Sequence, residues 1–152
     1  RCGGLIPWPG LDRDALCRDA DMVTASPYHP EGNVEGVPAY RLILSKGASY
    51  LYRGLLDTGI YTYTAMFRAY RRHVIEKVSF QSNGYLSMAE LMAEALLAGF
   101  IVAEFPAVLR VRQYGQSKAK VARIIRDHLR FQASLLPRAL RHRYHQLRGD
   151  RP

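Results

Sequence analysis

Cysteine is scarce in this sequence, and its scarcity excludes two classes of small protein. The two thiols, Cys2 and Cys17, have neither the spacing of metal ligands nor the short C-x-x-C separation of redox motifs. A disulfide scaffold and a zinc module are therefore excluded, and free thiols predict a reducing compartment, the cytoplasm. Hydrophobic residues make up 48% and charged residues 23% of the 152-residue chain, which excludes extensive disorder.

Long apolar runs and internal repeats are also lacking. The most apolar stretch, residues 91–109, is interrupted by two glutamates, a glycine and a proline, so the sequence predicts no transmembrane helix. The first residue is Arg1, and only three or four strands can be recognised. We therefore expect a piece of a longer α/β protein.

Positive and negative charges nearly balance over most of the chain, but its C-terminal part carries a strong net positive charge. Residues 110–152 contain 12 Lys and Arg against two acidic residues, whereas residues 1–109 contain 10 basic and 11 acidic residues. A basic tail suits nucleic acid, an anionic membrane surface or a phosphate-bearing small molecule, and charge alone does not choose among them.

Apolar periodicity predicts alternating strands and helices. A short strand ends before Pro27, and a partly apolar helix covers about residues 40–56. The segment "IYTYTAMFRAYRR" is β-rich at its start, and "RRHVIEKV" predicts a short helix. Strands interrupted at Pro106 follow, and a long basic helix extends from about Ala119 until Pro137 ends or kinks it.

The segment "SMAELMAEALLAG" predicts a further helix with defined ends. Ser87 is a plausible N-cap residue, and Glu90, three residues later, fits a capping box. Gly99 is well placed to end the helix. Glu90 therefore has a structural interpretation before any functional one.

The order of the motifs carries more information than any one of them. The segments "ADMVTASPYHPEG", "VPAYRLILSKGASYLYRGLL", "YTAMFRAYRR" and "AELMAEALLAGFIVAEFPAVLRVRQYGQSK" follow one another over residues 20–131. This succession resembles the C-terminal half of family 2 glycosyltransferases, the group that includes dolichol-phosphate mannose synthase and polyprenyl-phosphate sugar transferases. Its most specific part is the closing "E-x-P … R-x-x-YG-x-SK".

The resemblance implies a fold class and an activity. The fold is α/β, a partial GT-A domain: residues 1–19 are a linker and remnant helix, 20–131 the acceptor-binding half, and 132–152 a basic helix and tail. The implied reaction is inverting transfer of a sugar from a nucleotide-diphosphate sugar to a lipid phosphate or another acceptor. We expect the isolated chain to be inactive without the nucleotide-binding half.

The resemblance also implies a divalent metal, Mg or Mn, held by an Asp-x-Asp motif on the donor diphosphate. That motif normally precedes the "ADMV" strand by some twenty residues. The "DRD" of Asp12–Asp14 matches the Asp-x-Asp pattern, but it begins nine residues before Asp21. Its flanking residues predict the first turn of a helix. No metal ligand is assigned to this chain.

Two residues of "YRLILS" match acceptor-phosphate positions of the prenyl-phosphate group. The guanidinium of Arg41 can form a charge-assisted fork with phosphate, and the Ser45 hydroxyl, one helical turn later, can add a donor. The alternative is a surface arginine and a helix-start serine. Relatives commonly have "GSRY" where this chain has Pro27 in place of an arginine, and His29 is a candidate to compensate.

The loop "RVRQYGQSK" resembles the flexible basic loop that closes over the donor diphosphate. Arg112, Ser117 and Lys118 are the implied donor-binding residues, and Gly115 supplies backbone freedom. The alternative is a basic turn that precedes a basic helix.

Glu90 is the remaining candidate, as a general base or orienting carboxylate near the acceptor. Because a phosphate acceptor is already an anion, a base would matter more for a hydroxyl acceptor. Where relatives show "D-x-T-S-G-F-R", this chain keeps only Phe67 and Arg68. We expect Arg68 to pair internally, and Arg71 and Arg72 to be solvated or near the anionic substrate.

The final helix admits two interpretations. Arg123, Arg126 and Arg130 form one stripe, beside a face with Ile125, Leu129, Gln132 and Leu136. A solvated cationic helix packed on the domain is one possibility, and peripheral contact with the inner face of the membrane is the other. A non-enzymatic basic module for membrane or nucleic acid is the rival function, although nucleic acid is not needed to explain the arginines.

Overall fold

The computed structural model describes residues 19–110 and 121–148, with side chains described as far as Tyr144. The elements, in chain order, are β1 (Met22–Ser26), β2 (Asn33–Glu35), α1 (Ala39–Leu56), β3 (Arg68–Tyr70), α2 (Arg72–Lys77), α3 (Tyr85–Leu97), β4 (Val102–Pro106), β5 (Val108–Arg110) and α4 (Val121–Arg148). The predicted α/β class is confirmed. The predictions for Cys2, Cys17 and Asp12–Asp14 lie outside the described residues.

The strands form two small sheets. In the larger one β1 is central, antiparallel to β3 and parallel to β4, with Thr24 opposite both Arg68 and Glu104. In the smaller one β2 is parallel to β5. Ser26 O accepts from Ala107 N, which ties the carboxyl end of β1 to the β4–β5 junction.

The helices α1, α3 and α4 cover one face of the larger sheet and form the main core. Tyr52, Tyr63, Met92 and Leu135 are fully buried there, beside Met22 of β1. Each such side chain contributes about 1.5–3 kcal/mol by leaving water. The opposite face holds a smaller cluster around Val23 and Phe105.

The ends of α3 confirm one prediction and correct another. Gly99 has φ +82°, Gly99 N donates to Leu96 O, and Phe100 N donates to Ala95 O, so the helix ends in a Schellman motif as predicted. The capping box is wrong: α3 begins at Tyr85, two residues before Ser87. The Ser87 hydroxyl instead donates to Gly84 O at 2.7 Å.

Pro137 does not end the last helix, because α4 continues from Val121 to Arg148. Of the two predicted outcomes the end is therefore wrong, and the kink stays a prediction. The helix is anchored on both sides of the proline because Leu135 and Ala139 are buried. The lost backbone hydrogen bond is thus offset by packing. Among the described helices, none combines the length and apolarity needed to cross a membrane.

The side of α4 that packs on the domain is partly polar. Its buried residues include two polar ones, His128 and Gln132, whereas Leu129 and Leu136 are about half exposed. Arg123, Arg126 and Arg130 are exposed, as the predicted stripe requires. His128 and Gln132 therefore face the domain together with Leu135 and Ala139, while Leu129 and Leu136 lie towards solvent.

The segment before β3 is less regular than its composition predicts. Only Arg68–Tyr70 form a strand, and residues 57–67 connect α1 to β3 without helix or strand. Side chains from neighbouring elements hold this connection, as described below. The predicted strand after Asp21 and the short helix Arg72–Lys77 are confirmed.

Candidate functional site

A groove of about 430 Å³ lies between α1 and α4. Its volume is within the ~300–1,000 Å³ range of ligand pockets. Most of its wall is aliphatic, from Leu44 and Leu51 of α1 to Ile124 and Ile125 of α4. The polar lining includes Arg41, Ser45 and Thr64. The groove therefore suits a molecule with a long apolar part and a polar or anionic group.

Both predicted acceptor residues line this groove. Arg41 is exposed, its Nε donates to the Tyr40 hydroxyl at 3.1 Å, and its Cζ lies 5.8 Å from the centre of the Tyr40 ring. The remaining guanidinium N–H groups are geometrically suited to a bidentate contact with phosphate oxygens. Ser45 follows one turn later on α1.

The Ser45 hydroxyl belongs to a small polar cluster. Its Oγ lies 2.7 Å from Thr64 Oγ1, and it is also hydrogen-bonded to Tyr28. Burial raises the pKa of Tyr28, and the Ser45 bond partly offsets that rise. Lys46 Nζ lies 5.3 Å from the centre of the Tyr28 ring. Neutral hydroxyl donors and nearby cations make this end of the groove suitable for an anion.

A buried polar pair joins the two walls of the groove. Tyr52 of α1 and His128 of α4 share a hydrogen bond of 3.1 Å between the hydroxyl and Nδ1. Burial lowers the pKa of His128, so the imidazole is neutral in the folded state near neutral pH. One turn later, Gln132 donates to Ala48 O at 3.2 Å. These bonds set the separation of α1 and α4.

Sequence reasoning missed Thr64, Tyr85 and His128 as groove residues. Thr64 was visible in the "D-x-T-S-G-F-R" comparison, but its pairing with Ser45 depends on an irregular connection that no periodicity predicts. Tyr85 and His128 come from α3 and α4, and only the tertiary packing brings them to α1.

Glu90 is not among the residues that line the groove. Its carboxylate is buried and accepts from Gln81 N at 3.1 Å and from Ser82 N at 2.9 Å. It thus holds the loop that precedes α3 and does not form the predicted capping box with Ser87. The general-base role stays a prediction.

The three arginines of the β3 region have distinct environments. Arg68 pairs internally as predicted, donating to Met88 O and, at 2.6 Å, to Tyr63 O. Arg71 donates through Nε to Ala20 O at 2.8 Å. Arg72 is 92% exposed and pairs with Glu76 on its own helix, so it is solvated. The first two are structural contacts.

The remaining predicted residues contribute less to this picture. Arg112, Ser117 and Lys118 lie outside the described residues. His29 Nδ1 accepts from Glu31 N at 3.2 Å, and its ring meets Tyr61 edge to face. Gly32 packs so tightly that an added Cβ would lie 2.6 Å from Ser26 O, which fixes this turn after β1.

No family model matches the chain. The chain is 42% identical, over 108 residues, to a polyprenol monophosphomannose synthase from Mycolicibacterium smegmatis. The predicted resemblance is confirmed. The match covers 69% of this chain and 41% of that relative.

A dolichol-phosphate mannosyltransferase from Pyrococcus furiosus is 30% identical over 119 residues, which cover 77% of this chain and 33% of that relative. The chain thus spans less than half the length of the relatives it matches. The glycosyltransferase resemblance extends over most of the chain. The name of the first relative refers to mannose and polyprenol, and the name of the second refers to mannosyl transfer and dolichol phosphate.

Proposed function

We propose that this chain is the acceptor-binding part of a GT-A glycosyltransferase that moves mannose or another sugar from a nucleotide-diphosphate sugar to a polyprenyl or dolichyl phosphate. The groove between α1 and α4 is the observation that carries this proposal. Its aliphatic wall accommodates the first isoprene units, and Arg41 with the Ser45 cluster receives the phosphate. The names of the two relatives support the same acceptor class.

The polar residues of the groove suit a phosphate group as the attacking nucleophile. A prenyl phosphate brings its own negative charge, so the protein has to orient one oxygen towards the sugar rather than remove a proton. Arg41 and the Ser45 hydroxyl can donate to the other oxygens without neutralising the attacking one. This assignment leaves Glu90 free for its structural contacts with residues 81 and 82.

The donor side rests on residues outside this groove. Arg112, Ser117 and Lys118, in the segment that leads into Val121, are proposed to contact the donor diphosphate. A Mg or Mn ion would stabilise the leaving diphosphate in the complete enzyme. Residues 19–110 and 121–144 contain no group of three acidic, histidine or cysteine side chains that could hold such an ion. No step of the proposal is therefore assigned to a metal here.

The outward surface beside the groove favours peripheral contact with the inner face of the membrane. On α1, Ile43 is 70% and Tyr50 77% exposed. On α4, three leucines and a tyrosine alternate with exposed arginines, and they are 47–58% exposed: Leu129, Leu136, Leu140 and Tyr144. Interfacial helices combine such residues, and each basic residue near an anionic surface adds roughly 1 kcal/mol. We accordingly propose that the protein acts at the cytoplasmic side of a membrane.

Isothermal titration with farnesyl phosphate, a short prenyl phosphate, tests the acceptor assignment. We expect binding by the chain, much weaker binding of farnesol and of inorganic phosphate, and about tenfold weaker farnesyl phosphate binding by Arg41→Ala, because a charge-assisted bond contributes ~1.5–3 kcal/mol. Arg72→Ala is the matched control. Equal affinity of wild type and Arg41→Ala, or no binding by the folded chain, would contradict the proposal.

Two further assays separate the rival functions. Flotation with vesicles rich in phosphatidylglycerol should retain the chain, and Leu129→Glu with Leu140→Glu should release it, whereas Leu109→Glu on β5 should not. Retention of a labelled duplex with a steep salt dependence, without farnesyl phosphate binding, would instead favour the nucleic-acid module. Mannose transfer is then measured on the full natural protein with nucleotide-diphosphate mannose and Mg or Mn.

A further inference from the structure

Thr64 lies at the groove, in the connection between α1 and β3, and this connection contains no helix or strand. Its residues 61–64 cannot rely on helix or ladder hydrogen bonds. Buried backbone groups need partners, and the conformation of such a segment is set by whatever supplies them. The partners therefore determine where the Thr64 hydroxyl lies.

Side chains from three other elements supply those partners. Tyr61 N donates to Glu104 Oε2 at 2.7 Å, and Thr62 N donates to Glu104 Oε1 at 2.8 Å. Tyr63 N donates to Ser49 Oγ at 3.1 Å, and Tyr63 O accepts from Arg68 at 2.6 Å. Four backbone groups of the three residues immediately before Thr64 are therefore bound by side chains.

Two of these side chains belong to one transverse row of the sheet. Glu104 of β4, Thr24 of β1 and Arg68 of β3 are direct neighbours in the strand register. Laterally paired residues project from the same face of a sheet. Glu104 and Arg68 thus approach residues 61–63 from the two sides of Thr24, one accepting from N–H groups and the other donating to a carbonyl. A carboxylate and a guanidinium suit these opposite tasks.

We propose that Glu104 and Arg68 are positioning residues for the acceptor-phosphate end of the groove. They fix residues 61–63 so that the Thr64 hydroxyl meets Ser45 at 2.7 Å, which in turn orients the Ser45 hydroxyl for the acceptor. Neither residue lines the groove, so both act through the connection. This inference rests on the proposed function, and it assigns a role to the glutamate of the E-x-P sequence.

A double-mutant cycle with farnesyl phosphate as the probe tests the inference. Glu104→Gln keeps the shape but turns an amide N–H₂ towards one backbone N–H, so one of the two bonds is lost. We expect about tenfold weaker binding. In a Thr64→Val background, which lacks the hydroxyl, the same substitution should cost less than twofold further. Glu76→Gln on the exposed face of α2 is the matched control and should bind as wild type does.

The possible results separate the inference from general stability. Fully additive effects of Glu104→Gln and Thr64→Val, or unchanged affinity in folded Glu104→Gln, would overturn it. If Glu104→Gln does not fold, Glu104→Asp keeps both oxygens but retracts them by one methylene. It should weaken farnesyl phosphate binding in the wild-type background and have little further effect in the Thr64→Val background. Failure of the wild-type chain to bind farnesyl phosphate would overturn the proposed function itself.

Discussion

Arg138 of α4 donates two parallel hydrogen bonds, each of 2.6 Å, to the carboxylate of Glu94 of α3. The pair lies one residue after Pro137, where α4 lacks a backbone hydrogen bond. Glu94 is only 18% exposed, whereas Arg138 is about half exposed. The Glu94 bond also raises the pKa of Arg138. The contact joins α4 to α3 directly beside Pro137.

Removing this ion pair should loosen the second half of α4. We expect Arg138→Ala to lower the free energy of unfolding by about 0.5–1 kcal/mol, because the pair is bidentate but partly screened by solvent. That corresponds to a few degrees in Tm for a chain of this size. Thermal unfolding followed by circular dichroism measures it. Arg126→Ala, whose partner is the neighbouring Asp127, is the control, and an equal loss there would contradict the assignment.

The left-handed residue at the end of α3 gives a second prediction. Gly99→Ala should destabilise the protein by about 1 kcal/mol, because φ +82° is unfavourable for any residue with a Cβ. Gly54→Ala, in the interior of α1 with open space around it, should instead stabilise by about 0.5–1 kcal/mol. Urea unfolding of both variants decides the matter, and a Gly99→Ala protein as stable as wild type would refute the capping argument.

The carboxylate of Asp21 predicts an acid-dependent loss of stability. Its pKa lies below the ordinary 3.8, mainly because it accepts from Ile101 N and further because of its bond to His73, while desolvation opposes this shift. A lowered folded pKa stabilises the protein above 3.8, and that contribution disappears as pH falls through the lowered pKa.

Asp21→Asn tests this expectation. The variant should be less stable than wild type at pH 6, and the difference in Tm should shrink as pH is lowered below about 4. Glu35→Gln, which removes an exposed ion pair with Arg110, serves for comparison. A difference that stays constant down to pH 3 would show that the Asp21 contacts do not depend on ionisation.

His128 predicts a separate pH dependence near neutrality. Because burial lowers its folded pKa below the ordinary 6.5, the unfolded chain binds the proton first, and stability falls as pH drops below 6.5. His128→Gln should remove this part of the pH dependence between about pH 6.5 and 5. His142→Gln, on the last part of α4, is the control. Parallel Tm profiles for wild type and His128→Gln would contradict the prediction.

The sequence predicted those features that depend on local pattern. The apolar spacing of residues 40–56, the glycine at 99 and the placement of Arg41 and Ser45 on one helix turn were all readable along the chain. The capping box failed because the carboxylate of Glu90 binds N–H groups of residues 81 and 82, a tertiary choice that the spacing to Ser87 does not reveal.

Features that depend on packing between distant segments were not predictable. The continuation of α4 through Pro137 depends on Leu135 and Ala139 being buried against other helices. The polar inner side of α4 depends on Tyr52 and Ala48 of α1, which pair with His128 and Gln132 across more than seventy residues of sequence. The face predicted beside the arginine stripe is thus divided by the fold: Gln132 is buried, whereas Leu129 and Leu136 are about half exposed.

The first turns of α4 line the groove, and its later turns pack on α1 and α3. One helix therefore contributes to the groove and to the packing of the fold. Any molecule that binds only when the two helices stand at their native separation must then stabilise the whole fold by mass action. A prenyl phosphate at a hundred times its Kd would add about 2.7 kcal/mol to the free energy of unfolding. The melting temperature of the chain is therefore itself a sensor of what occupies the groove.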